Sequence, residues 1–130
     1  MGEKSAHRVA LANRRGHRRY PAWIEVSLSD PARKTSAPAT VVDLSLGGAL
    51  VQSHQAVEPG TVAVISMPSG RGTITLRGTV VRNEQSWTGH LLHIEFAGTD
   101  PAARLTLCHL LDELEREFLR HQREIVALRP

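Results

Sequence analysis

Four arginines stand at positions 14, 15, 18 and 19, separated by Gly16 and His17. A guanidinium fork binds phosphate bidentately, donates in pairs to the O6 and N7 of guanine, and stacks on flat rings. Arg15 and Arg19 lie four apart, and the glycine between them lets the chain turn so that both reach one site. Arg14 and Arg18 have the same spacing, so either register supplies a pair. Residues 1–19 carry Lys4, Arg8 and these four arginines against Glu3 alone, while the remainder of the chain is slightly acidic. Charge this concentrated suits an anionic partner, although such a cluster alone is also compatible with a solvated face or a nonspecific nucleic-acid contact.

A second constellation is Asp43-Leu44-Ser45-Leu46-Gly47-Gly48. It ends one β-run and turns into the next. With Val42 and Leu44 pointing inward, a period of two puts Asp43 and Ser45 together on the outer face. A carboxylate there accepts from adjacent donors such as those on a guanine edge, and the Ser45 hydroxyl can bond a phosphate, a base edge or the turn itself. Gly47 and Gly48 allow positive φ and a close approach to the backbone. The plain alternative is an Asp/Ser/Gly hairpin turn.

The elements that must position these groups are short. Six β-rich runs are expected at Trp23–Leu28, Thr40–Leu44, Ala49–Ser53, Thr61–Met67, Gly72–Arg82 and His90–Phe96. Turn residues punctuate them, as in an antiparallel sandwich or barrel. From Thr73 to Val81 the alternation is clear, with Ile74, Leu76, Gly78 and Val80 on one side. Asp100 then reads as a helix N-cap with Pro101 in the first turn, opening a helix to about Ala127. Leu107, Leu111, Leu114, Phe118, His121, Ile125 and Leu128 form a stripe on it. That stripe either packs on its own domain or pairs its outer half with a second copy, giving a homodimer. Trp23 and Trp87 are expected to pack rather than to offer stacking platforms.

Composition narrows the class. The 130 residues suit a single domain, read as a flexible tail over 1–13, a barrel with its arm over 14–99 and a helical segment over 100–130. The single cysteine, Cys108, excludes an intramolecular disulfide and a multi-cysteine metal site. There is no signal-peptide pattern, no apolar run of spanning length and no myristoylation pattern, so the expected location is the cytoplasm. The seven histidines form no metalloprotease motif, His90 and His93 are expected on opposite strand faces, and Ser45 lacks the context of a nucleophile elbow. No enzyme, catalytic residue, metal or cofactor is assigned.

An R-x-x-x-R segment followed some two dozen residues later by D-x-S-x-x-G, at the head of a series of short strands, resembles the PilZ family of cyclic di-GMP receptors. The segments here are Arg15-Gly16-His17-Arg18-Arg19 and Asp43-Leu44-Ser45-Leu46-Gly47-Gly48, and the likeness extends to Gly78-Thr79-Val80-Val81-Arg82 and Leu92-His93-Ile94-Glu95-Phe96. The resemblance implies a mainly β protein: a six-stranded antiparallel barrel with a long C-terminal α-helix and a flexible N-terminal arm wrapping its outside. It also implies that Arg14, Arg15, Arg18 and Arg19 contact the phosphates and guanines of cyclic di-GMP, while Asp43, Ser45, Gly47 and Gly48 hold a guanine base. Tyr20 directly after Arg19 favours the Arg15/Arg19 register, and Arg14 before the motif fits a self-stacked pair of ligands. The family's late strand often has glycine where His93 stands. Arg77 and Arg82 are either outer ligand contacts or part of a solvated sheet face. The expected output is a signal to an unidentified protein effector in motility, exopolysaccharide or regulatory pathways. The alternative is a basic-armed barrel that binds nucleic acid or protein without cyclic di-GMP; Asp43 disfavours nucleic acid, because its charge repels a phosphate backbone.

Overall fold

The computed structural model describes residues 18–70 and 72–127, with side chains described to residue 125. Arg14, Arg15 and the 1–13 tail therefore lie outside the described residues. Six antiparallel strands, β1 (Tyr20–Asp30), β2 (Thr35–Leu44), β3 (Gly48–Ser53), β4 (Val62–Ser69), β5 (Gly72–Ser86) and β6 (Gly89–Phe96), close into a barrel in the order β1-β2-β3-β6-β5-β4. One helix, α1 (Pro101–Ala127), follows. All six expected runs are strands. Several are longer than expected, because pairing across the barrel continues the ladder through polar ends that carry no apolar period.

Alternation fills the interior with aliphatic side chains. Val26, Leu28, Val41, Leu44, Val51, Ile65, Met67, Leu76, Val80 and Leu92 are buried together, as expected of a small barrel whose lumen is a packed core. On β5 the expected inward set of Ile74, Leu76, Gly78 and Val80 is buried. Leu107 of α1 joins the same cluster, with Ala103, Leu110, Leu111 and Leu114 packed around it, so the first half of the helix docks on the barrel. The start of α1 is capped by Asp100, whose Oδ1 accepts from the amides of Ala102 and Ala103 at 2.8 and 3.1 Å. Of the expected stripe, Leu107, Leu111 and Leu114 dock and Phe118 is half-buried. His121 and Ile125 are exposed, and Leu128 lies outside the described residues.

Three irregularities break the period of two, and all three flank one row of residues. The register shifts between Pro21 and Ile24 on β1, between Val41 and Asp43 on β2, and between Val80 and Arg82 on β5. A bulge adds a residue to one strand and reverses the inside-outside sense beyond it. Strict alternation puts Val42 inside with Leu44; the structure instead buries Val41 and Leu44, three positions apart, with Val42 as the extra residue and only half-buried. Trp23 occupies the β1 bulge at φ 50°, in the left-handed region. Its side chain is 67% exposed and that of Trp87, in the β5–β6 turn, is fully exposed, so neither packs as the sequence suggests.

Candidate functional site on the outer face

Between the bulges runs a row of paired residues that crosses five strands: Pro21 on β1, Asp43 on β2, Leu50 on β3, His93 on β6 and Arg82 on β5. The rows on either side of it, Tyr20-Leu44-Ala49-Ile94-Val80 and Ile24-Val41-Val51-Leu92-Asn83, point into the core or are partly buried. The middle row points outward. It offers an apolar floor at Pro21 and Leu50, with a carboxylate, an imidazole and a guanidinium spaced along it.

The arginine segment meets this row at Asp43. Arg19, one residue before β1, donates from Nη1 to Asp43 Oδ1 at 2.8 Å. Arg18 goes the other way. Its Nη1 lies 3.7 Å from Glu115 of α1, and its guanidinium carbon stands 5.5 Å from the centroid of the Tyr20 ring, within cation–π range. Two consecutive arginines thus span from the helix to the second strand, with Tyr20 buried between them and the barrel. Burial raises the Tyr20 pKa above its usual 10.0; the Arg18 charge opposes this, and the Glu115 carboxylate pushes the same way as burial.

The loop from Ser45 to Gly48 is locked by one hydroxyl. Ser45 Oγ donates to the Gly48 carbonyl at 3.1 Å and accepts from the amides of Gly47 and Gly48 at 3.2 and 3.1 Å, while the Ser45 amide also donates to the Gly48 carbonyl. Ser45 is buried, 1% exposed. It therefore does not share the outer face with Asp43 as strict alternation implies: the bulge at Val42 fixes Asp43 outward and Leu44 inward, and the turn folds Ser45 under itself. Gly48 answers to space rather than to φ, since it is outside the left-handed region and a Cβ on it would lie 2.2 Å from the Ile94 carbonyl oxygen. Only glycine lets β3 approach β6 this closely.

At the far end of the row, Glu84 accepts from Arg82 at 2.9 Å and lies 3.3 Å from His93 Nε2. His90 points to the other face, its Nδ1 3.1 Å from Asn83 Oδ1. Arg77 is exposed on β5, outside the row. Among the described residues no three His, Cys, Asp or Glu side chains gather where they could hold a metal ion. No described helix is long and apolar enough to cross a membrane. Sequence reasoning did not single out Pro21 or Leu50, whose only signal is their register with Asp43.

A family model described as PilZ domain matches residues 13–113. Among solved structures, YcgR from Escherichia coli in complex with c-di-GMP matches with a TM-score of 0.70 at 21% identity, over 86% of this chain and 50% of that one. The PilZ domain of YcgR with c-di-GMP matches with a TM-score of 0.65 at 20% identity, over 85% of this chain and 98% of that one. The Bacillus subtilis inhibitor of motility MotI/DgrA gives 0.63 at 14% identity, over 78% and 50%. The chain thus spans half the length of the YcgR and MotI/DgrA chains, and at these identities the likeness is one of fold. No curated protein matches. The barrel order, the paired arginine and aspartate, and a family match over most of the chain agree with one another, and the chain belongs to the PilZ domain family.

Proposed function

We propose that this protein is a cyclic di-GMP receptor and adaptor, and that its ligand lies on the outer row between the arginine segment and β2. The observation that carries the reading is the Arg19–Asp43 contact, because it joins the two segments that a guanine dinucleotide needs at once. Arg14, Arg15, Arg18 and Arg19 bind phosphate and guanine O6 or N7; Asp43 accepts from guanine N1–H and N2–H; Gly47 leaves room for the base, and Gly48 supports it by holding β3 against β6. Ser45 acts mainly by holding the turn in shape, since its hydroxyl is engaged with Gly47 and Gly48. Arg14 ahead of the motif fits a self-stacked pair of ligands.

Binding exchanges partners. A phosphate takes Arg19 from Asp43, a guanine edge takes Asp43, and a dianion that recruits Arg18 draws it from Glu115. The arm is thereby fixed against the barrel, creating a surface that a protein effector reads, with motility, exopolysaccharide or regulatory output. The exposed end of α1 is a second element for a partner, including another copy of the chain. Support for the ligand also comes from YcgR, whose solved structures share this fold and are complexes with c-di-GMP.

Calorimetric titration tests this. Cyclic di-GMP is expected to bind saturably, linear guanine dinucleotide and GTP much more weakly, and Arg15→Ala and Asp43→Ala to lose most of the affinity. Unchanged affinity in both variants, or absence of binding in the parent chain, overturns the reading. Binding to nucleic acid that falls steeply with salt and shows no preference for the dinucleotide would favour a nucleic-acid partner instead.

A further inference from the structure

The β1 bulge holds a residue that its local environment does not explain. Trp23 sits at φ 50°, a conformation that costs a bulky L-residue energy and that glycine or asparagine would adopt more easily. Its indole is 67% exposed, so burial does not offset that cost. Strain of this kind, kept within a strand that is paired on either side of the bulge, points to a use for the side chain outside the fold.

Its position narrows the use. The register shift places Ala22 and Trp23 opposite Val42, directly beside the Pro21–Asp43 pair where Arg19 arrives. Ala22 and Ile24 pack on the core, leaving Trp23 between them as the side chain turned out. A guanine whose edge is held by the Asp43 carboxylate still has two bare faces. An arginine guanidinium can cover one of them. The other needs a flat apolar partner, and base-on-indole stacking is the usual solution where a base lies outside a duplex.

We infer that Trp23 is a stacking residue of the ligand site: its indole covers one face of the guanine whose edge Asp43 holds, and the bulge exists to present it. This rests on the receptor reading above and adds a residue to it. The strained backbone turns the indole outward beside Asp43 before any ligand arrives, so its orientation costs nothing at the moment of binding.

Trp87 is the other tryptophan and stands fully exposed in the β5–β6 turn, so Trp87→Phe leaves Trp23 as the sole tryptophan, excited selectively over Tyr20, without touching the barrel. In that background, saturating cyclic di-GMP should quench Trp23 emission with the same concentration dependence that calorimetry gives. Trp23→Ala should weaken binding about tenfold or more, and Trp23→Phe should recover most of it. Trp23→Gly should also bind weakly, yet unfold at a temperature no lower than the parent, because it relieves the left-handed strain; a merely structural tryptophan would lower that temperature. If Trp23→Ala binds as tightly as the parent while Asp43→Ala does not bind, the stacking role is wrong and the receptor reading stands. If the parent does not bind cyclic di-GMP, both fall.

Discussion

The Arg19 guanidinium and the Asp43 carboxylate meet at 2.8 Å across 24 residues of chain. Their side chains are 43% and 24% exposed, so water screens the pair and it contributes at most about 1 kcal/mol to stability. Its importance is positional. It brings the end of a strongly basic segment to the row of outward residues on β1, β2, β3, β6 and β5, and it is weak enough for a ligand to replace.

Arg19→Ala and Asp43→Asn should therefore separate folding from binding. Each is expected to unfold within about 1 kcal/mol of the parent in chemical denaturation. Each should lose about tenfold or more in affinity for cyclic di-GMP, as removal of a charge-assisted hydrogen bond predicts. A large loss of stability with binding intact would make the pair a fastener of the fold.

Ser45→Ala should behave in the opposite way. It strands the Gly47 and Gly48 amides that now donate to the hydroxyl and removes a buried donor to the Gly48 carbonyl, at a cost of about 1–3 kcal/mol. Any loss of affinity then follows from a loosened turn. A variant as stable as the parent that binds poorly would move Ser45 from the turn to direct ligand contact.

Gly48→Ala tests the close approach of β3 to β6. The new methyl meets the Ile94 carbonyl oxygen, which is backbone and cannot swing aside. The strands must part, and the expected loss is about 2–3 kcal/mol in denaturant titration. Gly70→Ala is the matched control, with nothing within 4 Å of its added Cβ, and should be nearly silent.

Tyr20 supplies a pH prediction. It is the chain's one tyrosine, so phenolate absorbance reads a single group. Because burial and Glu115 raise its folded pKa above 10.0, the folded state holds the proton more tightly than the unfolded state. The associated stability is fully present below pH 10 and is lost as pH rises through the folded pKa. Tyr20→Phe should flatten that part of the stability curve. Glu115→Gln should lower the pKa toward its ordinary value, and a titration unchanged from free tyrosine would contradict the buried phenol.

The barrel was legible because turn residues separate six β-rich runs, with period two clearest on β5, and Asp100-Pro101 marks the start of α1 without ambiguity. The bulges were not legible. One extra residue leaves no compositional trace, yet the one at Val42 decides that Val41 rather than Val42 is inside. Trp23 misled for the same reason, since a large aromatic in a strand reads as core unless the backbone is known to turn it outward. Asp43 could be assigned to the surface from its type, but Ser45 could not be assigned to the turn, because a hydroxyl suits a phosphate, a base edge or a backbone amide equally well. The helix stripe left open where its outer half packs, since apolar spacing alone does not say how far the barrel reaches; in the structure burial ends near Phe118.

Ring closure has a consequence for recognition. Each strand of the barrel has a hydrogen-bonded neighbour on both sides, but the seam is short: β1 meets β4 only over residues 27–29, and residues 35–39 of β2 pair with β1 alone. Partners that work by β-augmentation, lining up an extended peptide along an unpaired edge, find only these short stretches and no full-length open strand. Side chains and the helix are then the larger surfaces on offer to a partner. Interface mapping belongs on the projecting turns of α1, where Arg116, Leu119, Arg120 and Arg123 line a shared hollow, and on the arginine segment itself.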